Sequence, residues 1–462
     1  ISTAGAGVTY YVDDATFMPP TTGTTVSRAL FNSNEYITRG NNLYKLDTGA
    51  GASFTYVYSF PTTITSLEIH VNYLYIALGT SEAYWYMDTS EAFTQSTAAV
   101  NKFQFFKTVY TTATTFYGND GVNTIRSTTN PLNGGTAWSA QTTVDQAANV
   151  ITGLQSFLGA LYILKEDIPY YLNSDGAVKN DLAPELLSAK ASTSGKNTHV
   201  WKGKLYIPAG DQALLETDTI TNTLRNPASY CTNLSDFVGR VQAIASDEEW
   251  LFVAVDNSTK IEILAGHLEE VGGSTDWVWH PIHELTLTDC ETMWVSTVYK
   301  KRLWISSTLS TDSLYYLPLP TKYGDIINDT QATFKTDTYF ITSYYHGKFK
   351  GENKAFIKIV ATLGHTYDTN IYWECWYQKL ADTAWTDAGD LKGTSTNRIA
   401  TLYIPVDASA NKPVSTMMRF KFVAKTNDTA KTPVLLSYSI EAILRPTVRS
   451  IIECEIVAGD NI

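Results

Sequence analysis

Apolar residues in this chain fall in short runs broken by Gly, Asn, Asp, Ser and Thr, and a sustained 3.6-residue period is almost absent. Such runs predict β-strands joined by tight turns; one short helix is expected over residues 181–191 and no other. Within the runs one phrase returns. Leu43, Leu74, Phe116, Leu161, Leu205, Leu251 and Leu303 are each followed directly by Tyr, Phe or Trp. The intervals between them are 31, 42, 45, 44, 46 and 52 residues, roughly one four-stranded sheet with its turns.

Each phrase has neighbours. A strand-like run precedes it, as SLEI precedes Leu74 and VQAIA precedes Leu251, and another follows, as YWYM and KIEIL do. Turn formers such as Asn119, Asp120 and Gly121, or Asp256, Asn257 and Ser258, separate the second run from the third, and they suit hairpins because they tolerate left-handed backbone. The unit is strand, turn, strand, hairpin, strand, then a longer link where a fourth, outer strand would lie. One such sheet cannot bury both faces, but sheets stacked around an axis cover one another. The pattern predicts an all-β fold with a seven-bladed β-propeller over residues 1–325. Leu74, Leu161, Leu205, Leu251 and Leu303 are expected in middle strands, buried between sheets. Residues 8–12, VTYYV, are expected to add the missing outer strand of the last blade. A β-sandwich or β-solenoid is the alternative arrangement of the same strands.

After a linker at 326–335 the runs lengthen and alternate more cleanly. Met418, Phe420 and Phe422 face one way, Arg419 and Lys421 the other. Leu436, Tyr438, Ile440 and Ala442 oppose Ser437, Ser439 and Glu441. Period-two alternation of this length predicts antiparallel sheet with one buried face, and two such sheets make a β-sandwich over residues 336–446. Residues 447–462 still alternate like a strand beyond Arg445 and Pro446. Because proline suits an exit from a sheet, this tail is expected to pair with a neighbouring subunit or a further domain.

The order in this half is Gly347 and Lys348, a strand, Trp385 to Asp390, LYIP, RFKF, then Thr432, Pro433, Val434 and Leu435, the strand through Ile440, and Arg445 with Pro446. It resembles the C-terminal module that follows propeller-like repeats in large tail or virion structural proteins of tailed bacteriophages. The resemblance covers the C-terminal quarter and, more loosely, the repeats. It implies a virion component used in assembly or host contact, and no catalytic residues.

Composition narrows the classes further. Charged residues make up 17% and aromatics 13%, and the net charge is −12. No Lys/Arg run supplies a basic face for a nucleic-acid backbone. No apolar run approaches the length of a membrane-spanning helix. Cys231, Cys290, Cys375 and Cys454 form no CxxC pair, so zinc or redox chemistry is not indicated, and Cys375 reads as a buried thiol. The chain starts at Ile1 rather than Met, and is expected to be processed or part of a longer sequence.

A propeller can be an enzyme, and the residues that could carry chemistry are few. The nearest text to a sialidase Asp box is PLNGGTAW, with Asn133, Gly135 and Trp138 in register, and the ten arginines are scattered. Glu166 with Asp167, and Glu269 with Glu270, are adjacent on strand-like text and point to opposite faces, which does not suit a glycosidase pair. His280 and His283 would share a face on a helix but not on a strand. Asp120 and Asn123 could hold calcium, but a hairpin turn explains them better. Tyr84, Trp85 and Tyr86, Trp277 and Trp279, Tyr344 and Tyr345, and Trp373 with Trp376 read mainly as core, with a minority available for recognition. The expectation is a non-enzymatic structural component of a virus particle, tail-associated, without cofactor, metal or catalytic site. Its expected partners are other virion proteins and copies of itself, with a host glycan as a further one. A carbohydrate-binding adhesin is the alternative, and a propeller glycosidase a weaker one.

Overall fold

The structure, a computed structural model, describes residues 2–4 and 24–445 apart from 47–53, 98–100, 133–136, 174, 211–212, 231–237, 272–273, 287–288, 308–313, 321–333, 366–367 and 407–409. The expectations for residues 8–12, for Asn133 and Gly135, for Cys231 and Cys454, for most of the linker and for the tail lie outside the described residues. The chain divides into two compact units, Gly7–Ala332, and Ile1–Ala6 with Thr333–Ile462. Residues 1–6 therefore group with the C-terminal half rather than with the repeats, because the strand Ser2–Ala4 pairs antiparallel with Tyr339–Ile341.

The fold is all-β. The first unit is a succession of antiparallel sheets, each made from strands consecutive in the chain. The first sheet comprises Arg28–Phe31, Asn34–Arg39, Asn42–Leu46 and Phe54–Ser59. The second comprises Ser66–His70, Tyr73–Ala77, Trp85–Met87 and Phe93–Gln95, and the third Phe105–Val109, Thr115–Asn119, Thr124–Thr128 and Thr142–Thr143. The fourth holds Ile151–Phe157, Ala160–Lys165, Pro169–Leu172 and Val178–Lys179; the fifth holds His199–Trp201, Lys204–Ala209, Ala213–Thr217 and Asn222–Leu224. The sixth holds Arg240–Ser246, Leu251–Asp256, Ile261–Val271 and Ser274–Leu285, and the seventh, with three strands among the described residues, Thr292–Ser296, Arg302–Ser306 and Leu314–Pro318. The turn between the first two strands is built by left-handed residues. Asn32 and Ser33, Leu158 and Gly159, and Lys202 and Gly203 all have positive φ, which gives the two-residue hairpins whose twist matches the strands.

Leu74, Leu161, Leu205, Leu251 and Leu303 lie in the second strand of successive sheets, none more than 2% exposed. Each contributes about 2 kcal/mol of transfer free energy to its sheet-to-sheet layer. Leu43 departs from the expected register and lies in the third strand of the first sheet. The residue that pairs as the others do is Glu35: Leu30 faces Glu35 as Ile69 faces Leu74 and Val200 faces Leu205. A carboxyl thus stands where five of the other sheets place leucine and the third places Phe116, and the short first interval follows from counting the third strand as the second.

Neighbouring sheets share cores. Leu43 and Phe31 pack with Leu67 and Met87, Tyr75 and Tyr84 with Phe106 and Phe116, Ile163 with Leu205, and Trp201 with Val253 and Trp277. Between the sixth and seventh sheets, Gln242 accepts a bond from the Cys290 amide at 2.5 Å and Lys301 pairs with Asp247 at 2.9 Å. The seventh meets the first where Trp304 lies edge-on to Phe54, 5.1 Å between centroids. The expected helix at 181–191 is a 3₁₀ segment, Pro184–Ala189, and one α-turn that the sequence pattern missed spans Pro227–Tyr230. Both are too short to show a helical period.

The second unit contains a five-stranded sheet, Ser2–Ala4, Tyr339–Ile341, Met418–Lys425, Tyr372–Lys379 and Thr386–Leu391 in spatial order. In its other sheet Lys354–Leu363 pairs with Ile399–Tyr403, Val414–Ser415 and Leu435–Leu444. Phe356, Ile359 and Leu363 of one sheet and Cys375, Phe420 and Phe422 of the other belong to one core. Met418, Phe420 and Phe422 are fully buried, as their alternation requires. The alternation of Leu435–Leu444 is corrected at its start. A bulge between Thr362 and Leu363 aligns Leu435, not Leu436, with Leu363, and Leu436 is exposed.

Candidate functional site

A cavity of about 590 Å³ lies within the first unit, and the first strand of every one of its seven sheets reaches it. Its volume falls in the range of small-molecule sites, about 300–1,000 Å³. The first strand is an edge of its sheet, so consecutive residues such as Ser66, Leu67 and Glu68, or Phe105, Phe106 and Lys107, border this space. Arg28 comes from the first sheet, Glu68 from the second, Lys107 from the third, His199 from the fifth and Ser246 from the sixth. Lys196 and Asn197, just before the fifth sheet, and Glu291, just before the seventh, complete the polar set.

Most of these groups hold one another. Lys107 Nζ lies 3.2 Å from Glu68 Oε2, and Glu68 Oε1 accepts a bond from the Thr108 amide at 2.9 Å. Lys196 Nζ lies 2.7 Å from Glu291 Oε2, and the Asn197 amide donates to the carbonyls of Gln242 and Glu291. His199 Nε2 and Ser246 Oγ are 2.8 Å apart. Burial, with Arg28 and Lys107 adding to it, pulls the His199 pKa down to about 4. The imidazole is therefore neutral at pH 7 and is a weak base; its pair with Ser246 is a hydrogen-bonding surface. Arg28 is exposed to the cavity and has no ion-pair partner among the described residues. Three cations face two carboxylates, so one positive charge is left over in a chain of net charge −12.

None of these residues was singled out in the sequence. The available signal was a charged residue inside an otherwise apolar first strand, such as Lys107 in FFKTV, and it is readable only once the sheets are known to share a centre. The residues singled out lie elsewhere. Asp167 accepts bonds from Asn149 at 2.6 Å and Tyr170 at 3.2 Å, and no shared pocket joins it to Glu166. Glu269 lies 3.8 Å from His267 on an exposed strand. His280 stacks on His267 at 5.7 Å and flanks Trp250, and His283 is buried on the same strand beyond a bulge. Among the described residues no group of three ligands is placed for a metal ion. Asp120 receives Thr124 Oγ1, Arg126 Nε and Gln141 Nε2, as a turn anchor does. Trp277 and Trp279 are buried and stacked, and Tyr84 is fully buried. Cys290 and Cys375 are free, buried thiols with pKa values pushed up by burial.

In the second unit, Phe340, Trp373, Leu435, Leu436, Ser437 and Tyr438 line a cleft of about 510 Å³. The Trp373 indole N–H has no hydrogen-bond partner among the described residues, and the Tyr438 and Tyr345 hydroxyls are 2.7 Å apart.

No protein family matches this sequence, and no curated protein does. Similar solved structures include virginiamycin B lyase from Staphylococcus aureus, 12% identical over 65% of this chain and 96% of that one, with a TM-score of 0.46. The extracellular domain of a putative hybrid two-component system from B. thetaiotaomicron is 11% identical over 88% of this chain and 49% of that one, also at 0.46. PorZ, a surface component of the type-IX secretion system of Porphyromonas gingivalis, is 12% identical over 65% and 37%, at 0.41. The expectation that the chain is not an enzyme is corrected on this finding: the similar structures include a lyase. At these identities and scores no activity passes from them to this chain.

Proposed function

We propose that the chain is a seven-bladed β-propeller followed by a β-sandwich, and that it serves as a structural component of a virus particle, tail-associated, contacting neighbouring virion proteins. The resemblance of its C-terminal quarter to phage tail modules motivates the reading. The observation that carries it is the edge strand Leu435–Leu444. Among the described residues it is bonded on one side only, to Lys354–Leu363, and it presents Leu436, Ile443 and Leu444 at 46%, 62% and 42% exposure. A ten-residue edge with exposed leucine and isoleucine invites a further strand, and natural sheets cover or charge such edges. A strand of another virion protein is the occupant this reading assigns.

The test is co-sedimentation of the purified chain with virus particles stripped of it. The wild type is expected to sediment with particles and Ile443→Lys to do so at least about tenfold less, since an ammonium in a strand-to-strand contact costs more than 1.4 kcal/mol. Equal sedimentation of both, or none of the wild type, overturns the reading. A carbohydrate-binding adhesin is a second reading, favoured by the cleft of Phe340, Trp373 and Tyr438, where ring faces and an unpaired indole N–H lie together.

A further inference from the structure

We propose that the cavity shared by the seven first strands binds an acidic saccharide, with Arg28 receiving its carboxylate or sulfate and the surrounding hydroxyl and amide groups receiving its ring hydroxyls. Three observations carry this independently of any role in a particle. The first is charge. Lys107 and Lys196 are neutralised by Glu68 and Glu291, whereas Arg28 makes no ion pair among the described residues and feels only the buried Glu35 carboxyl at longer range. A guanidinium matches a planar or tetrahedral oxyanion through two parallel hydrogen bonds, and in a concave site its field is focused rather than dispersed.

The second is the chemistry of the walls. Ser27, Ser66, Thr152, Thr198 and Thr292 bring hydroxyls to the same space; Thr152 and Thr198 donate to the Ser194 and Gly195 carbonyls and keep lone pairs to accept, while Ser27, which accepts from the Leu67 amide, keeps its proton to donate. Half-buried Leu154 lies between them, and Leu67, Ile244 and Met293 are only 3–5% exposed there. A lining of hydroxyls with a small apolar share fits a ligand that carries hydroxyls at its rim and C–H groups on its faces. A long lipid would need a continuous apolar wall, and a nucleic-acid strand a broader cationic track.

The third is rigidity. Arg28, Glu68, Lys107, His199 and Ser246 sit on strands, and His199 is fixed by Ser246 while still reached through the cavity. The neutral imidazole adds a donor or acceptor without cancelling the Arg28 charge.

Isothermal titration of the full chain with glucuronate, glucose 6-sulfate and glucose tests the proposal. At least one anionic sugar is expected to bind saturably, and glucose at least about tenfold more weakly, as loss of one charge-assisted hydrogen bond implies. Preference for glucuronate assigns a carboxylate ligand, and preference for the sulfate a sulfated one. Arg28→Gln is expected to weaken the anionic sugar at least about tenfold, and Arg28→Lys, which keeps the charge but not the fork, by less. The proposal is overturned if neither anionic sugar binds saturably, if glucose binds as tightly, or if Arg28→Gln and Arg28→Lys both bind like the wild type.

Discussion

Ser306 Oγ donates a hydrogen bond of 2.8 Å to the Thr25 carbonyl, so the seventh sheet is tied to the residues that lead into the first. Ser296 Oγ reaches Glu35 beside it, and Trp304 packs on Phe54. Sheets far apart in sequence thus meet as closely as consecutive ones do. This seam between the first and seventh sheets is both polar and aromatic.

Glu35 occupies the slot that leucine fills in five of the other sheets, and it is buried with Oε1 lacking a hydrogen-bond partner among the described residues. Burial raises its pKa, with Ser296 opposing. The folded state therefore binds the proton more tightly than the unfolded state, so this stabilisation is present at acid pH and is lost as pH rises through the folded value. Glu35→Leu is expected to raise the urea midpoint at pH 8 by the equivalent of about 1–3 kcal/mol. A lower midpoint would show that the carboxyl holds the seam together.

Two histidines respond to acid in the opposite sense. The pKa values of His199 and His280 are both pulled down to about 4, chiefly by burial. The unfolded chain takes up these protons first, so stability falls as pH drops from the ordinary histidine range towards 4. Each contributes up to about 3 kcal/mol across that window. Melting temperatures from pH 7 to 4 should decline less steeply in His199→Gln; an unchanged slope would contradict the burial of a neutral imidazole.

Arg302 is almost fully buried, stacks its guanidinium 4.0 Å from the Tyr316 ring centre, and has no hydrogen-bond partner among the described residues for any of its three nitrogens. Ring contact offsets only part of the cost of removing that charge from water. Arg302→Met is expected to stabilise by about 1–3 kcal/mol in denaturant unfolding. A loss of stability would mean that the stacked cation is worth more than its desolvation.

A Cβ added to Gly118 would sit 2.4 Å from the Phe103 ring, within the cluster of Tyr84, Phe106 and Trp138. Gly118→Ala should cost about 1–3 kcal/mol by overpacking, read as a lower thermal midpoint. A neutral effect would show that this aromatic layer is loosely packed.

Much of the architecture was legible because period and turn chemistry are local. Leu74, Leu161, Leu205, Leu251 and Leu303 each announce a buried second strand, and Met418 to Phe422 announce a buried face. Where tertiary pairing overrides local pattern, the text misleads. Glu35 hides the second strand of the first sheet behind a charge, the bulge at Leu363 shifts Leu436 outward, and Ser2–Ala4 pairs with Tyr339–Ile341 at long range. The channel was not legible at all. Arg28, Lys107 and His199 come from three different sheets, and nothing in their local sequences says that they face one another.

The most direct test of the account is an electron cryo-microscopy map of tailed virus particles whose virion carries this chain. The account predicts a ring of seven spokes on the tail, with density from another protein along the strand Leu435–Leu444. Particles without the chain, a ring of another number, or that strand edge facing solvent on the particle would contradict it.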